Sequence, residues 1–218
     1  MKRHQWFRQT NWTPAAASEF QARLARTRGQ RSEYLRIQAM TLAGTNQMHN
    51  AEPAVELARQ LLAVRTDNLW VAQAHATMAK AFETIGRPYD AIDAYRKAVA
   101  AERELPNVRG CYYIDFAWFV AIHGIRDCYK EVQTNMESDL QSNDLVFPAT
   151  QFRYFGAIAL IAEDLGDRQH AKRMAESALA ASAATQGPFS RHPGVGVVRN
   201  QADESIARIE RLARDPES

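Results

Sequence analysis

Two cysteines in 218 residues are too few for a disulfide framework. The fold must be held by its core, as in a reducing compartment. Long apolar runs are missing as well. The longest candidate, residues 155–162, falls far short of the roughly 20 residues needed to span a bilayer. The start, MKRHQWFRQTNW, is basic but carries no apolar segment. It does not read as a secretory signal, and a cytoplasmic protein is expected. Glycine and proline are concentrated in one place only, QGPFSRHPGVGVV at residues 186–198, which reads as a loop with some apolar content.

The residue sets that carry chemistry are also absent. His4, His49, His75, His123, His170 and His192 are scattered, and no two stand at the i, i+4 spacing of a helical metal site. His123, Asp127 and Cys128 come nearest to a cluster, straddling a turn at Gly124. Their plain reading is a helix end with a histidine near its carbonyls and an aspartate capping the next helix. Cys111 and Cys128 fall on facing helices of one predicted hairpin. Without a CxxC or a flanking base, they read as small apolar residues rather than a redox pair. No Ser/His/Asp set, phosphate-binding glycine loop or catalytic carboxylate pair stands out. Glu163 and Asp164 are adjacent on a helix and do not face each other. No enzyme, metal or cofactor is expected.

What is present is helix. A composition of 46% apolar and 24% charged residues is that of an ordinary soluble protein, and the chain is long enough for a proper core. The charge is uneven. Lys2, Arg3, Arg8, Arg23, Arg26, Arg28, Arg31 and Arg36 stand against Glu19 and Glu33 in the first 36 residues, so 8 − 2 = +6 lies there and 2 − 6 = −4 in the remainder. A basic end on a mildly acidic body suits nucleic acid, an acidic protein, or the chain's own acidic part.

In chain order, residues 1–12 form an irregular arm. Trp6, Phe7 and Trp12 would expose too much apolar surface unless the arm packs back. Thr13 caps a helix with Pro14 at its first position. That helix runs to about Arg28, buries Phe20 and Leu24, and ends at Gly29. Ser32 caps the next, which runs to Ala43 with Tyr34, Leu35, Ile37, Met40 and Leu42 on a wide apolar face. Gly44, Thr45 and Asn46 stop it. Asn50 caps a helix through Val64, with Ala54, Leu57, Ala58, Leu61 and Leu62 inward.

Residues 68–102 give the clearest signal. A first helix carries Met78, Ala79 and Phe82, Gly86 breaks it, and Pro88 starts a second with Ala91, Tyr95 and Ala98 on one face. Small residues let two helices approach, and Phe82 and Tyr95 fill the gap. Asn107 opens a further pair. Its helices, about 108–123 and 126–140, carry Tyr113, Phe116, Ala117 and Val120, then Tyr129, Val132 and Met136. Phe147 and Pro148 open another. Phe155, Ile158, Ala159 and Ala162 line its first helix and Ala171, Ala175 and Ala178 its second. Ala79, Ala117 and Ala159 each stand seven residues before Gly86, Gly124 and Gly166. A last helix from about Asn200 to Arg214, with Ile206, Ile209 and Leu212 on one face, would cap the array.

This pattern resembles the tetratricopeptide repeat (TPR) family over residues 33–185. The glycine spacings of 38 and 42 exceed the family's unit of about 34 residues. The resemblance implies an all-α, right-handed α-solenoid of about four antiparallel hairpins at residues 31–185. A basic arm and helix (1–30) precede it, and a loop and capping helix (186–218) follow.

It also implies a bacterial scaffold binding a protein or peptide in a concave groove lined by the first helix of each pair. The groove positions are Gln73, Ala76, Thr77, Lys80 and Glu83; Ile114, Asp115, Trp118 and Ile122; and Arg153, Gly156, Ala157 and Leu160. Ala76 and Lys80 occupy the central pair used by carboxylate-clamp adaptors, and Trp118 stands where a polar residue is wanted, so that subfamily is a poor match. Trp118 is either a groove anchor or a residue packed between hairpins.

Two other functions remain. One is an immunity or antitoxin protein neutralising a cognate toxin. The other is nucleic-acid binding through Arg23, Arg26, Arg28 and Arg31, with Trp6 and Phe7 available for stacking. Against the last stands a solvated face that pairs with the acidic body.

Overall fold

The computed structural model describes residues 5–64, 69–105, 108–198 and 204–214. Among them there are ten α-helices, one 3-10 turn and no strand. Lys2, Arg3, His4, Asn68, Asn107 and Asn200 lie outside the described residues. The chain divides into two compact units, residues 1–112 and 113–218.

The first unit holds α1 (Pro14–Leu24), α2 (Arg31–Ala43), α3 (Met48–Ala63), α4 (Leu69–Thr84) and α5 (Pro88–Arg103). From α2 to α5 each helix packs on the next, and α2 also reaches α4. Thr13 accepts from the Ala16 amide, with Pro14 opening α1. The helix stops at Leu24, short of Arg28, where the backbone tightens to i→i−3 bonds, Arg26 N–H to the Arg23 carbonyl at 3.0 Å and Thr27 N–H to the Leu24 carbonyl at 3.2 Å. Gly29 at φ +80° then turns the chain.

Two predicted caps in this unit are wrong. Ser32 lies inside α2, whose N-cap Gln30 makes no side-chain cap bond. Asn50 lies inside α3, fully buried. Its Nδ2 donates to the Thr10 carbonyl at 2.7 Å, so its amide secures the N-terminal arm. Gln38, also fully buried, does the same: its Oε1 accepts from the Gln9 amide at 2.9 Å and its Nε2 donates to the Gln9 carbonyl at 2.7 Å. The arm therefore packs back, with Trp6 against Phe20 and Tyr34, and Trp12 against Phe20.

Ala79, Ala91 and Ala98 are fully buried where α4 meets α5, with Phe82 and Tyr95 beside them. Met78 and Leu62 are only half-buried, and Met40 is exposed. Gln38 and Ala39 hold the core positions that Ile37 and Met40 were expected to share. After α5, the buried carboxylate of Glu102 accepts from the amides of Gly110, Cys111 and Tyr112. This capture, with Cys111 at φ +56°, delays the next helix to Tyr112 from the predicted 108 and leaves Cys111 outside it.

In the second unit α6 (Tyr112–Ile122) begins at the boundary, a 3-10 turn (Arg126–Cys128) precedes α7 (Tyr129–Asp139), and α8 (Pro148–Asp164), α9 (Arg168–Ser182) and α10 (Glu204–Arg214) follow. Asp127 lies within the 3-10 turn; Cys128, not Asp127, is the N-cap of α7. α8 packs on α9, and α10 on both. Ala159, Ala171, Ala175 and Ala178 are at most 1% exposed. Phe155 and Ile158 are half-buried, while Phe152 and Leu160 are core. The 186–198 loop docks on the start of α8. Gly196 accepts from the Ala149 amide at 2.8 Å, and Phe189 stacks edgewise on Phe147.

His75 on α4 is half-buried, and its Nδ1 has no partner. Burial lowers its pKa from the ordinary 6.5; the Lys97 cation adds to this and Asp93 opposes it. The native state thus prefers the neutral ring, while the unfolded chain takes up a proton at the ordinary value. The stabilisation is present above pH 6.5 and is lost as pH falls through the lowered native pKa. Urea midpoints measured from pH 7.5 to about 5 should fall, and His75→Phe should flatten that fall.

Candidate interaction groove

In the first unit α2 and α4 lie side by side. Arg36 on α2 stacks over the Trp70 ring at 4.3 Å. Its guanidinium donates to both Glu33 carboxylate oxygens, at 2.7 and 3.2 Å, and to Gln73 Oε1 at 2.9 Å. Every edge of the fork is engaged, so the planar group is a fixed wall. Two shallow depressions flank Gln73 and Tyr112. One, about 210 Å³, is lined by Met40, Ala43, Gly44, Ala76, Thr77 and Lys80. The other, about 240 Å³, is bounded by Arg36, Trp70, Leu105 and Val108.

The structure brings Gln73, Thr77 and Lys80 together, but in unequal roles. Thr77 is 7% exposed and its hydroxyl donates to the Gln73 carbonyl of its own helix, so it offers a ligand little polar surface. Lys80 is half in solvent and pairs with Glu83 at 2.9 Å. Glu83 also accepts from the Tyr95 hydroxyl. Met40, Arg36, Trp70 and Tyr112 were not foreseen as groove residues. Their signal was available only in part: an aromatic and an arginine on successive first helices.

In the second unit Arg153 and Asp115 form an ion pair at 2.5 Å. Trp118 takes the packing alternative. Its ring lies 5.4 Å from that of Phe152, and a Cβ built on Gly156 would come within 2.7 Å of Trp118 Cζ3 and 2.8 Å of Ile209 Cδ1. Gly156 is thus clasped between Trp118 of α6 and Ile209 of α10. Ile114, Ala157 and Leu160 are at most 1% exposed and belong to the core.

Arg208 of α10 donates to Glu163 at 2.7 and 3.0 Å and to Asp164 at 3.2 Å. Asp164 also accepts from the Tyr129 hydroxyl. Burial, and then that bond, push the Tyr129 phenol well above its ordinary pKa. This network straps α10 to α8, beside a cavity of about 370 Å³ lined by Ile122, His123, Glu204 and Arg211.

At the basic end, Arg23 pairs with Glu19 at 2.6 Å and lies over the Trp6 ring at 6.0 Å. Arg26, Arg28 and Arg31 are exposed, and no carboxylate among the described residues lies within ion-pair reach of them. The predicted pairing with the acidic body is not seen there. Trp6 and Phe7 are used internally, against Phe20 and Tyr34.

No family model, curated protein or solved structure matches the chain. Among the described residues no three His, Cys, Asp or Glu side chains are grouped to hold a metal ion, and no helix is long and apolar enough to cross a membrane.

The clasp at Gly156 is testable. Gly156→Ala should destabilise the protein by about 1–3 kcal/mol through overpacking against Trp118 and Ile209, read as a lower urea midpoint. Gly156→Ala combined with Ile209→Val should recover part of the loss.

Proposed function

We propose that the chain is a TPR-like interaction module that holds a protein or peptide segment against the α2/α4 face of its first unit. The observation that carries this reading is the shallow apolar bed on that face. Small residues Ala43, Gly44 and Ala76 line it beside the 39%-exposed Met40. Small lining side chains admit a ligand side chain, and a flexible thioether adapts to its shape. Gln73, Lys80 and the fixed Arg36 supply polar groups along the rim. In the second unit, Trp118 and Ile209 of α10 close on Gly156. The groove positions Asp115 and Arg153 serve each other there.

The test is affinity capture from the native host with tagged full-length protein, beside Ala76→Glu. This substitution places a charge in the bed without touching the α4–α5 seam. A stoichiometric protein partner lost in Ala76→Glu, with an unchanged helical circular dichroism spectrum, is the expected result. A partner retained at full occupancy by Ala76→Glu contradicts the assignment of this face.

A further inference from the structure

We propose that the α1–α2 turn of the first unit contacts the phosphodiester backbone of a nucleic acid. Arg26, Arg28 and Arg31 fall within six residues around Gly29, whose φ of +80° folds the chain tightly there. All three are exposed, and among the described residues none has an ion-pair partner. The nearest acids in sequence, Glu19 and Glu33, are already occupied by Arg23 and Arg36. Gln21 of α1 donates to Gln60 of α3 at 3.3 Å, which sets the end of α3 beside α1. The residue before Gln60 is Arg59, also exposed and, among the described residues, without an ion-pair partner. Glu56, one turn earlier, accepts from Gln60 and is the remaining carboxylate on that helix end. The local balance is cationic.

The kind of partner follows from what this face lacks. Trp6, Phe7 and Tyr34 pack on one another, with Phe20 beneath Trp6. Among the described residues before Met40 no large apolar side chain is exposed. A protein interface is anchored by buried aromatic or aliphatic groups at its centre. A face of arginines without such an anchor suits a partner recognised by its charge alone, and a phosphate backbone is that partner. Guanidinium groups pair bidentately with phosphate oxygens. This surface is separate from the α2/α4 bed, so a ligand on one leaves the other testable.

The experiment is fluorescence anisotropy of the full chain with a short labelled DNA duplex and, in parallel, a single-stranded RNA, each across a salt series. With about three phosphates neutralised, log K against log salt should fall with a slope of about −2 to −3 on the duplex. The triple variant Arg26→Gln/Arg28→Gln/Arg31→Gln should lose about tenfold or more in affinity and most of that slope. Arg191→Gln, an exposed arginine in the second unit's loop, should change neither. Because all three side chains are exposed, the triple variant should keep its circular dichroism spectrum and urea midpoint. Binding of either nucleic acid that depends on the three arginines supports the proposal. Three results overturn it: no salt-dependent binding to either, equal loss in Arg191→Gln, or tighter binding of poly-glutamate than of the nucleic acids.

Discussion

Small side chains where paired helices cross are the constraint from which the remaining architecture follows. Ala79, Ala91 and Ala98 in the first unit, and Ala159, Ala171, Ala175 and Ala178 in the second, are at most 1% exposed. Each set lies on two helices that pack directly on each other. Alanine at such positions allows the two backbones to approach at the short end of the usual range. Phe82 and Tyr95, each 4% exposed, pack beside the alanines in the first unit. The reversal between paired helices must be equally compact, and Gly86 and Gly166 supply it at φ +70° and +86°.

With one side of each first helix committed to the seam, its remaining surface decides what the unit can hold. In the first unit, α4 turns Gln73, Ala76 and Lys80 toward α2, and the ground between them stays open. In the second, α8 turns the buried Gly156 toward α6 and α10, and Trp118 and Ile209 fill the space that the missing side chain leaves. The Arg208–Glu163–Asp164 pairs hold α10 in that position. Exposed ion pairs of this kind contribute modestly one by one. Burial of Ile206 and Ile209 is the larger part of what holds α10 in place.

The helices and their turns were legible in the sequence because local signals set them. Thr13-Pro14, Gly86, Gly166 and the alanine–aromatic alternation each act within a few residues. What was not legible rests on contacts distant in sequence. Asn50 has the chemistry of a cap, but its amide is drawn to Thr10, 40 positions away. The start of α6 is set by Glu102, whose carboxylate takes three amides eight to ten residues downstream. Met40 fits the spacing of the core, yet the equally well placed Gln38 is buried because the N-terminal arm supplies both of its amide partners. Of the groove positions named from the sequence, Gln73, Thr77 and Lys80 line the α2/α4 depression. Trp118 was left between two roles by periodicity alone, since only the neighbouring glycine and α10 decide which side of the ring is covered.

The central claim is that these alanine seams, and not helix formation alone, hold the units together. Paired substitutions on α5 test it most directly. Ala98 is fully buried at the seam, and Ala100, two residues on, is exposed. Urea unfolding of Ala98→Leu should show a loss of about 1–3 kcal/mol, while Ala100→Leu should stay within about 0.5 kcal/mol of the parent. Equal behaviour of the two variants would contradict the account.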